Sequence, residues 1–296
     1  MLILKRVLRF MAGLSPALVA IGIQALVMAI IVFSYTFIGG LVLGYEFASM
    51  GITDNDIIYK ELAKMTEITP ETQYVFAVIA SVVCGVVFFF WYRRVTKYEI
   101  KIRLNSVFKF KKIGLFISLG IGCQLLLSGI MNIIQPFLEE LFKEYSSVME
   151  TLFSGKLGLV ILYTVIIAPI VEELIFRGLM LKLTQRSVSF MAANFMQALV
   201  FGIYHGNLIQ GTYAFGLGFL LGLLARKFKS IIAPILLHII VNGSAFLIGF
   251  LPSHQLVYFG MIILGGVSVV FSYIKLIAEA EDIADYHRPL DNNYFL

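Results

Sequence analysis

The stretch VIIAPIVEELIFRGLM, residues 165–180, decides how this sequence is interpreted, because it places three charged residues inside an otherwise apolar segment. Glu172 and Glu173 are adjacent, and Arg177 follows four residues after the second glutamate. A charged side chain at the centre of a bilayer costs at least about 2.5 kcal/mol, so ionisable residues in membrane helices usually mark function. The stretch therefore predicts a membrane helix that carries a functional site.

The composition of the whole chain also predicts a membrane protein. Its 296 residues are 59% hydrophobic and 14% charged, whereas soluble domains contain about 25% charged residues. The net charge of +5 is interpreted as a signal of membrane topology, and no nucleic-acid partner is expected. Cys84 and Cys123 lie inside apolar runs, which excludes a disulfide framework or a CxxC metal motif.

Eight apolar segments approach the roughly 20 residues that a membrane-spanning helix needs. They are residues 14–44, 73–92, 113–134, 158–181, 190–205, 212–225, 231–251 and 255–275. We expect an all-α polytopic membrane protein with about eight transmembrane helices around a polar intramembrane cavity. It divides into an N-terminal transmembrane region with an amphipathic external segment, a motif-bearing core and a polar cytoplasmic tail, at residues 1–112, 113–275 and 276–296.

The connections between these segments alternate in charge. The N-terminal arm, the loop 93–112 and the turn RKFK at 226–229 are basic, whereas the loops 45–72 and 135–157 are acidic. Excess Lys and Arg mark the cytoplasmic side of a membrane, so eight spans place both termini in the cytoplasm. We expect the membrane to be a bacterial cell membrane. Short amphipathic helices are expected in both acidic loops, and a short amphipathic segment before the first uncleaved transmembrane helix.

Two of the predicted spans, the fifth and the sixth, are short and form a hairpin. The sequence HGNLIQGT, residues 205–212, joins them and has Gly206 and Gly211 as turn signals. Non-helical backbone at membrane depth is tolerated only where it is buried in protein or faces water. His205 at the tip of this hairpin is therefore expected beside a wet cavity.

Spacing separates the polar residues into groups. Glu173 and Arg177 are four residues apart, so they share a helix face and can pair, which is often purely structural. Glu172 is rotated by about 100° from Glu173 and has no cation on its own helix, which suits a general base. Pro169 is expected to kink the helix beside it.

The other intramembrane polar residues lie on later helices. His238 and Asn242 are four residues apart and share one face of the seventh span. We expect Glu172, His205 and His238 to converge on a pocket that opens to the cytoplasmic side. Weaker candidates are Asn194, Gln197 and Asn207.

Three motifs in the last half of the chain resemble those of the CPBP (Abi) family, the intramembrane proteases related to type II CaaX prenyl endopeptidases. EELIFRG at 172–178 is similar to the family's EExxxR motif, FGIYH at 201–205 to FxxxH, and HIIVN at 238–242 to HxxxN. The three occur in the family's order, and together they are far more specific than each alone. The first 110 residues carry no such motif.

The resemblance implies hydrolysis of a peptide bond near the membrane, in a hydrophobic or membrane-associated substrate. By this analogy Glu172 and His205 activate water, His238 and Asn242 stabilise the oxyanion, and Glu173 and Arg177 orient the site. No cofactor is favoured, since the sequence has no HExxH zinc motif, although Glu172, His205 and His238 would suffice as three zinc ligands.

Two other functions remain open from the sequence. A non-catalytic family member would act by binding, in bacteriocin self-immunity or as a scaffold for a membrane signalling partner. A transporter with a polar relay is the second alternative, but the chain shows no internal repeat of the kind that many transporters have.

Overall fold

The computed structural model of the protein describes residues 2–97 and 110–284. The basic loop predicted at 93–112 and the tail predicted at 276–296 lie partly outside the described residues. Within those residues the chain forms ten helices and no strand. They are α1 (Leu2–Met50), α2 (Asn55–Thr66), α3 (Pro70–Val95), α4 (Phe110–Ile134), α5 (Glu139–Phe153), α6 (Leu157–Thr184), α7 (Phe190–Tyr204), α8 (Leu208–Lys227), α9 (Ile232–Ile248) and α10 (Gln255–Ala284).

Eight of these helices are apolar enough to lie in a membrane, which confirms the predicted multi-pass fold. In the described part of the chain six are long enough to cross a bilayer, and α7 and α9 are shorter. The predicted short sixth span is wrong: α8 has 20 residues because Asn207 caps it earlier than expected, accepting hydrogen bonds from the backbone of Ile209 and Gln210. The seventh span, α9, is shorter than α8, at 17 residues.

The first helix differs from the expected amphipathic segment followed by a separate span. Helix α1 is continuous over 49 residues, with Pro16 inside it. At 1.5 Å per residue it is about 74 Å long, more than twice the bilayer core of about 30 Å. The apolar spacing of the N-terminal arm runs into the span without a turn signal, so one helix accommodates both.

Both acidic loops contain the amphipathic helices that their periodicity predicts. Asp54 caps α2 by accepting hydrogen bonds from the backbone N–H groups of Asp56 and Ile57. Helix α5 covers the predicted segment EELFKEYSSVMETLF and lies between α4 and α6 in the chain. Helix α10 continues to Ala284, so the first part of the predicted tail is helical.

Helix α6, which carries the two glutamates, is not a regular α-helix. Two wide π-helical segments, Leu162–Ile167 and Leu174–Met180, flank one α-helical segment, Ala168–Glu173. Pro169 is the second residue of that central segment and has no N–H to donate to the preceding turn, which accounts for the irregularity beside it. The break predicted at Pro169 therefore takes the form of π turns, which are frequent at functional sites.

Helices α7 and α8 form a tight hairpin against α6. Gly206, at φ +69°, makes the turn between them in a conformation that favours glycine. Gly202 and Gly211 let the two backbones touch, since a Cβ on Gly202 would lie 2.6 Å from the carbonyl oxygen of Gly211. Further along, a Cβ on Gly222 would overlap Asn194 Oδ1. These glycines bring the polar groups of the hairpin within reach of α6.

Two hydrophobic clusters enclose the centre of the molecule. One joins α4, α8, α9 and α10 around Phe116, Leu221 and Leu237. The other joins α1, α3, α6 and α7 around Phe88, Phe176 and Phe201. Cys84 and Cys123 are both free and buried, as expected of small residues in apolar helices. The charged residues of α6 lie between the two clusters.

Candidate active site

The ion pair predicted between Glu173 and Arg177 is present and completely buried. Arg177 Nη1 donates to Glu173 Oε1 at 2.6 Å, and both side chains are inaccessible to solvent. Arg177 Nη2 also donates to the carbonyl oxygen of Gly218 on α8 at 3.0 Å, and its guanidinium lies 4.4 Å from the centre of the Phe201 ring. A buried charge needs such partners, because removing one leaves an uncompensated charge in an apolar medium.

Glu173 has a second partner that links α6 to α9. His238 Nδ1 lies 2.9 Å from the same carboxylate oxygen that accepts from Arg177. A carboxylate can only accept a hydrogen bond, so His238 Nδ1 must carry the proton and donate it. Glu173 therefore fixes both the orientation and the tautomer of His238.

The opposite nitrogen of His238 faces the second glutamate. His238 Nε2 lies 3.8 Å from Glu172 Oε2, which is too long for a direct hydrogen bond but short enough for a strong charge interaction. Because Nδ1 already donates to Glu173, Nε2 can be a donor only when the ring is the imidazolium. The ring thus lies between two carboxylates.

Glu172 has different surroundings from its neighbour in the chain. Its side chain is 16% exposed, whereas that of Glu173 is fully buried. Among the described residues no hydrogen bond holds its carboxylate. The hydroxyl groups of Tyr163 and Tyr204 lie within electrostatic reach of it. Glu172 is therefore the carboxylate of this site that is accessible to water.

His205 is joined to the site through Phe201. Its Nδ1 lies 2.8 Å from the carbonyl oxygen of Phe201, one turn earlier, so Nδ1 donates and the neutral ring presents Nε2 as an acceptor. The Phe201 ring stands edge-on to His205, with centroids 4.7 Å apart, and to His238, with centroids 5.9 Å apart. The Phe201 ring therefore lies between the two histidines. No described contact places His205 directly against Glu172.

Asn242 lies at the edge of this group. Its Nδ2 donates to the carbonyl oxygen of Thr164, in the first π segment of α6, at 2.9 Å. It also lines a cavity of about 420 Å³ on the side of the molecule where α5 lies. That side is opposite the basic turns. Glu172, His205 and His238 do not line this cavity, so the pocket expected from them on the side of the basic turns stays a prediction. The structure brings Glu172 and His238 to within 3.8 Å of each other, and Asn242 lies toward the cavity.

The three weaker candidates take structural positions. Gln197 Nε2 donates to the Gly218 carbonyl and lies 2.8 Å from Asn194 Oδ1, and Asn194 Nδ2 donates to the Phe219 carbonyl. These bonds hold α7 against α8 and continue the buried network of Arg177. Asn207 is the N-cap of α8.

Sequence reasoning missed several polar and aromatic residues around Glu172. Tyr204 on α7 donates from its hydroxyl group to Gln24 Oε1 on α1 at 2.5 Å, so the N-terminal region without motifs contributes to the walls of the site. A signal was present, since Gln24 is an uncharged polar residue in the middle of an apolar span. Phe201 is the first residue of the FGIYH motif, but no local pattern in an apolar helix indicates that its ring lies beside both histidines.

The described residues do not gather a metal site. No group of three His, Cys, Asp or Glu side chains within 2–97 and 110–284 has the geometry to hold a metal ion. Glu172 and His238 are close to each other, but no described contact brings a ring nitrogen of His205 to either of them. The three residues named as a possible zinc set therefore do not fit a zinc ion in this arrangement.

The fold and the site together define a class. This is a multi-pass helical membrane protein with a buried, hydrogen-bonded Glu–Arg–His network and a partly exposed glutamate beside it.

Comparison with known proteins places the central part of the chain more closely. Residues 154–244 match the family described as type II CAAX prenyl endopeptidase Rce1-like. The chain is also 31% identical over 84 residues to a Bacillus subtilis (strain 168) protein named "Putative membrane peptidase YdiL". That alignment covers 28% of this chain and 34% of the relative. The resemblance to CPBP-family membrane proteases is thereby confirmed for the segment that contains all three motifs, and no solved structure matches the chain.

Proposed function

We propose that this protein is an intramembrane endopeptidase that hydrolyses a peptide bond in a hydrophobic or membrane-associated peptide or protein. The observation that carries the proposal is the pairing of Glu172 with His238. A partly exposed carboxylate lies 3.8 Å from a histidine whose other nitrogen is held by a buried glutamate. Such a group supplies a base and a positioned proton donor inside an apolar protein.

The chemistry that we propose begins with water. The Glu172 carboxylate, with Nε2 of His205 as a second acceptor, takes a proton from a water molecule. At the same time the oxygen of that water attacks the carbonyl carbon of the substrate. The resulting tetrahedral oxyanion accepts hydrogen bonds from Nε2 of the His238 imidazolium and from the amide of Asn242. Protonated Glu172 then gives its proton to the departing nitrogen as the C–N bond breaks.

Glu173 and Arg177 take no direct part in this scheme. Glu173 holds His238 with Nε2 directed at Glu172, and Arg177 balances the charge of Glu173. Since Nδ1 of His238 is occupied, oxyanion stabilisation depends on a protonated ring, and the two flanking carboxylates provide its counter-charge.

The proposed scheme is metal-free, and no step is assigned to zinc. Incubation of the purified protein with a strong chelator, followed by addition of Zn²⁺, tests this point separately. A metal-free peptidase keeps its rate through both treatments, whereas a rate that is lost and then restored by Zn²⁺ identifies a metal enzyme.

We place the basic turns, and with them both termini, on the cytoplasmic side of a bacterial cell membrane. Support comes from the eight apolar helices, which form an even number, and from the basic residues between α6 and α7 and between α8 and α9.

Replacing Glu172 with Gln tests the proposal. We expect peptide release by the full chain in liposomes to fall by about 10²–10⁴-fold, because a general base is removed. Mass spectrometry of membrane peptides from cells with each variant supplies the substrates, and Glu150→Gln on exposed α5 is the matched control. If the Glu172→Gln variant cleaves normally, the proposal is wrong. If no form cleaves and the variant keeps the biological phenotype of the wild type, the protein is a binder.

A further inference from the structure

The cavity beside Asn242 has no part in the reaction scheme, yet it has the character of a binding site. It has a volume of about 420 Å³ and lies between α4, α5, α8 and α9. Ligand pockets in proteins typically have volumes of about 300–1,000 Å³. Asn242 and Thr164 line its inner end, so it reaches the candidate active site.

A stripe of uncharged polar residues runs along the α4 wall. Gln124, Ser128, Asn132 and Gln135 recur at intervals of three or four residues and therefore share one helix face. Gln124 Nε2 donates to Ser128 Oγ and Asn132 Nδ2 to the Ser128 carbonyl, so these bonds use the amide nitrogens and not the amide oxygens. The stripe is about 16 Å long, which matches about five residues of an extended chain.

The opposite wall is formed by α5 and is largely apolar. Phe142, Tyr145, Met149 and Phe153 lie on the inner face of this amphipathic helix. Ring contacts anchor the helix at two points, from Tyr145 to Tyr213 on α8 and from Phe153 to Phe246 on α9.

The lining has a consistent chemistry. None of the described residues that line this cavity is charged, and half of them have a polar side-chain group. An acyl or prenyl chain would require no hydrogen-bonding wall. An extended peptide presents one N–H and one C=O at every residue, and these groups must be satisfied away from water. The amide stripe on α4 can satisfy them, while the aromatic face of α5 accommodates apolar side chains.

A second cavity adjoins the first on the α5 side. This cavity of about 390 Å³ shares Gln135, Phe142 and Ser146 with the first, and Glu139 and Lys143 lie at it. Charged residues are therefore found at the outer cavity and are absent from the described lining of the inner one.

We propose that the inner cavity binds an extended, uncharged peptide segment that enters from the α5 side and adjoins the bond to be cut. The proposal rests on the proposed function for the identity of that bond, but the binding can be measured without cleavage. It names the substrate class: a segment of several residues without Lys, Arg, Asp or Glu.

The test uses the full-length Glu172→Gln protein in liposomes, with a photo-crosslinking amino acid at position 149 or, as control, at 148. Met149 lines the cavity, whereas Val148 is exposed and does not line it. The probe is a short fluorescent peptide of Ala, Leu, Ser and Gln, compared with the same peptide carrying a central Lys. We expect the neutral peptide to crosslink at 149 and not at 148. The Lys peptide should bind on the order of a hundredfold more weakly, because its charge has no partner in the cavity.

A charge swap completes the design. Met149→Glu should gain binding of the Lys peptide by about tenfold or more, and Val148→Glu should not. Crosslinking of phospholipid in place of peptide at 149, or equal binding of the two peptides, overturns the inference. If the neutral peptide crosslinks at 149 but wild-type protein does not cut it, the cavity proposal stands and the proposed activity fails. If wild type cuts the peptide but it never crosslinks at 149, the reverse holds.

Discussion

The two neighbouring glutamates of α6 lie in opposite surroundings. Glu173 is fully buried and shares one carboxylate oxygen between Arg177 and His238. Glu172, one residue earlier, is partly exposed and has His238 Nε2 at 3.8 Å. A rotation of about 100° around a helix axis is enough to separate a closed network from an open position. The difference teaches that the charged motif combines a buried ion pair with a carboxylate that is partly open to water.

The buried network of Glu173, Arg177 and His238, which we call the closed side, extends into the α7–α8 hairpin. The Gly218 carbonyl accepts from both Arg177 and Gln197, and the glycines of α8 allow this close approach. The partly exposed surroundings of Glu172, which we call the open side, lead through Asn242 and Thr164 to the cavity under α5. A change on the closed side should therefore alter stability first, and a change on the open side should alter activity first.

The largest effect on stability is expected from Arg177→Met. It leaves Glu173 buried without its cation, which should lower the free energy of unfolding by about 3–5 kcal/mol. Chemical unfolding of the full chain in detergent measures the loss. The double variant Glu173→Gln/Arg177→Met removes both charges and should recover part of it. A single variant as stable as wild type would show that the pair is not structural.

A smaller loss is expected from Gly222→Ala, which tests how tightly the closed side is packed. The added methyl group overlaps Asn194 Oδ1, so the Asn194 side chain must move and its hydrogen bonds with Phe219 and Gln197 are disturbed, at a cost of about 1–3 kcal/mol. Gly216→Ala is the matched control on the same helix, because a Cβ there meets no atom within 4 Å. Equal unfolding midpoints for the two variants would contradict the close packing.

The smallest effect is expected from Tyr204→Phe, at the border between the two sides. It removes the hydroxyl group that donates to Gln24 and should lower stability by about 1 kcal/mol. Tyr45→Phe, at an exposed position of α1, is the control and should be neutral. If the Tyr204 variant is as stable as the control, the link between α1 and the site contributes nothing.

Much of the fold follows from local properties of the sequence. Apolar length predicts the number of membrane helices, and helical periodicity predicts α5. The border between α7 and α8 was less well predicted, because it depends on the cap that Asn207 forms. The continuity of α1 through Pro16 was missed as well. An unbroken apolar pattern does not show where an N-terminal arm ends and a membrane span begins.

Individual bonds of the site could be predicted only where both partners lie on one helix, whereas the approach of Glu172 to His238 could be predicted without the atoms that meet. The pairing of Glu173 with Arg177 follows from their spacing. The bond of His238 to Glu173, the bond of Asn242 to Thr164 and the position of Phe201 between two histidines depend on how α6, α7 and α9 cross. Crossing geometry is set by packing across the whole bundle, so no local pattern in the sequence carries it.

The contrast between the two glutamates is tested most directly by measuring Glu172→Gln and Glu173→Gln side by side, each for unfolding and for peptide release. We expect Glu172→Gln to unfold within about 0.5 kcal/mol of wild type, as for a substitution outside any buried network, while its cleavage is lost. Glu173→Gln should lose about 3 kcal/mol or more of stability, because Arg177 is left without its buried counter-charge. Normal cleavage by Glu172→Gln, or a stability loss as large as that of Glu173→Gln, would contradict the account.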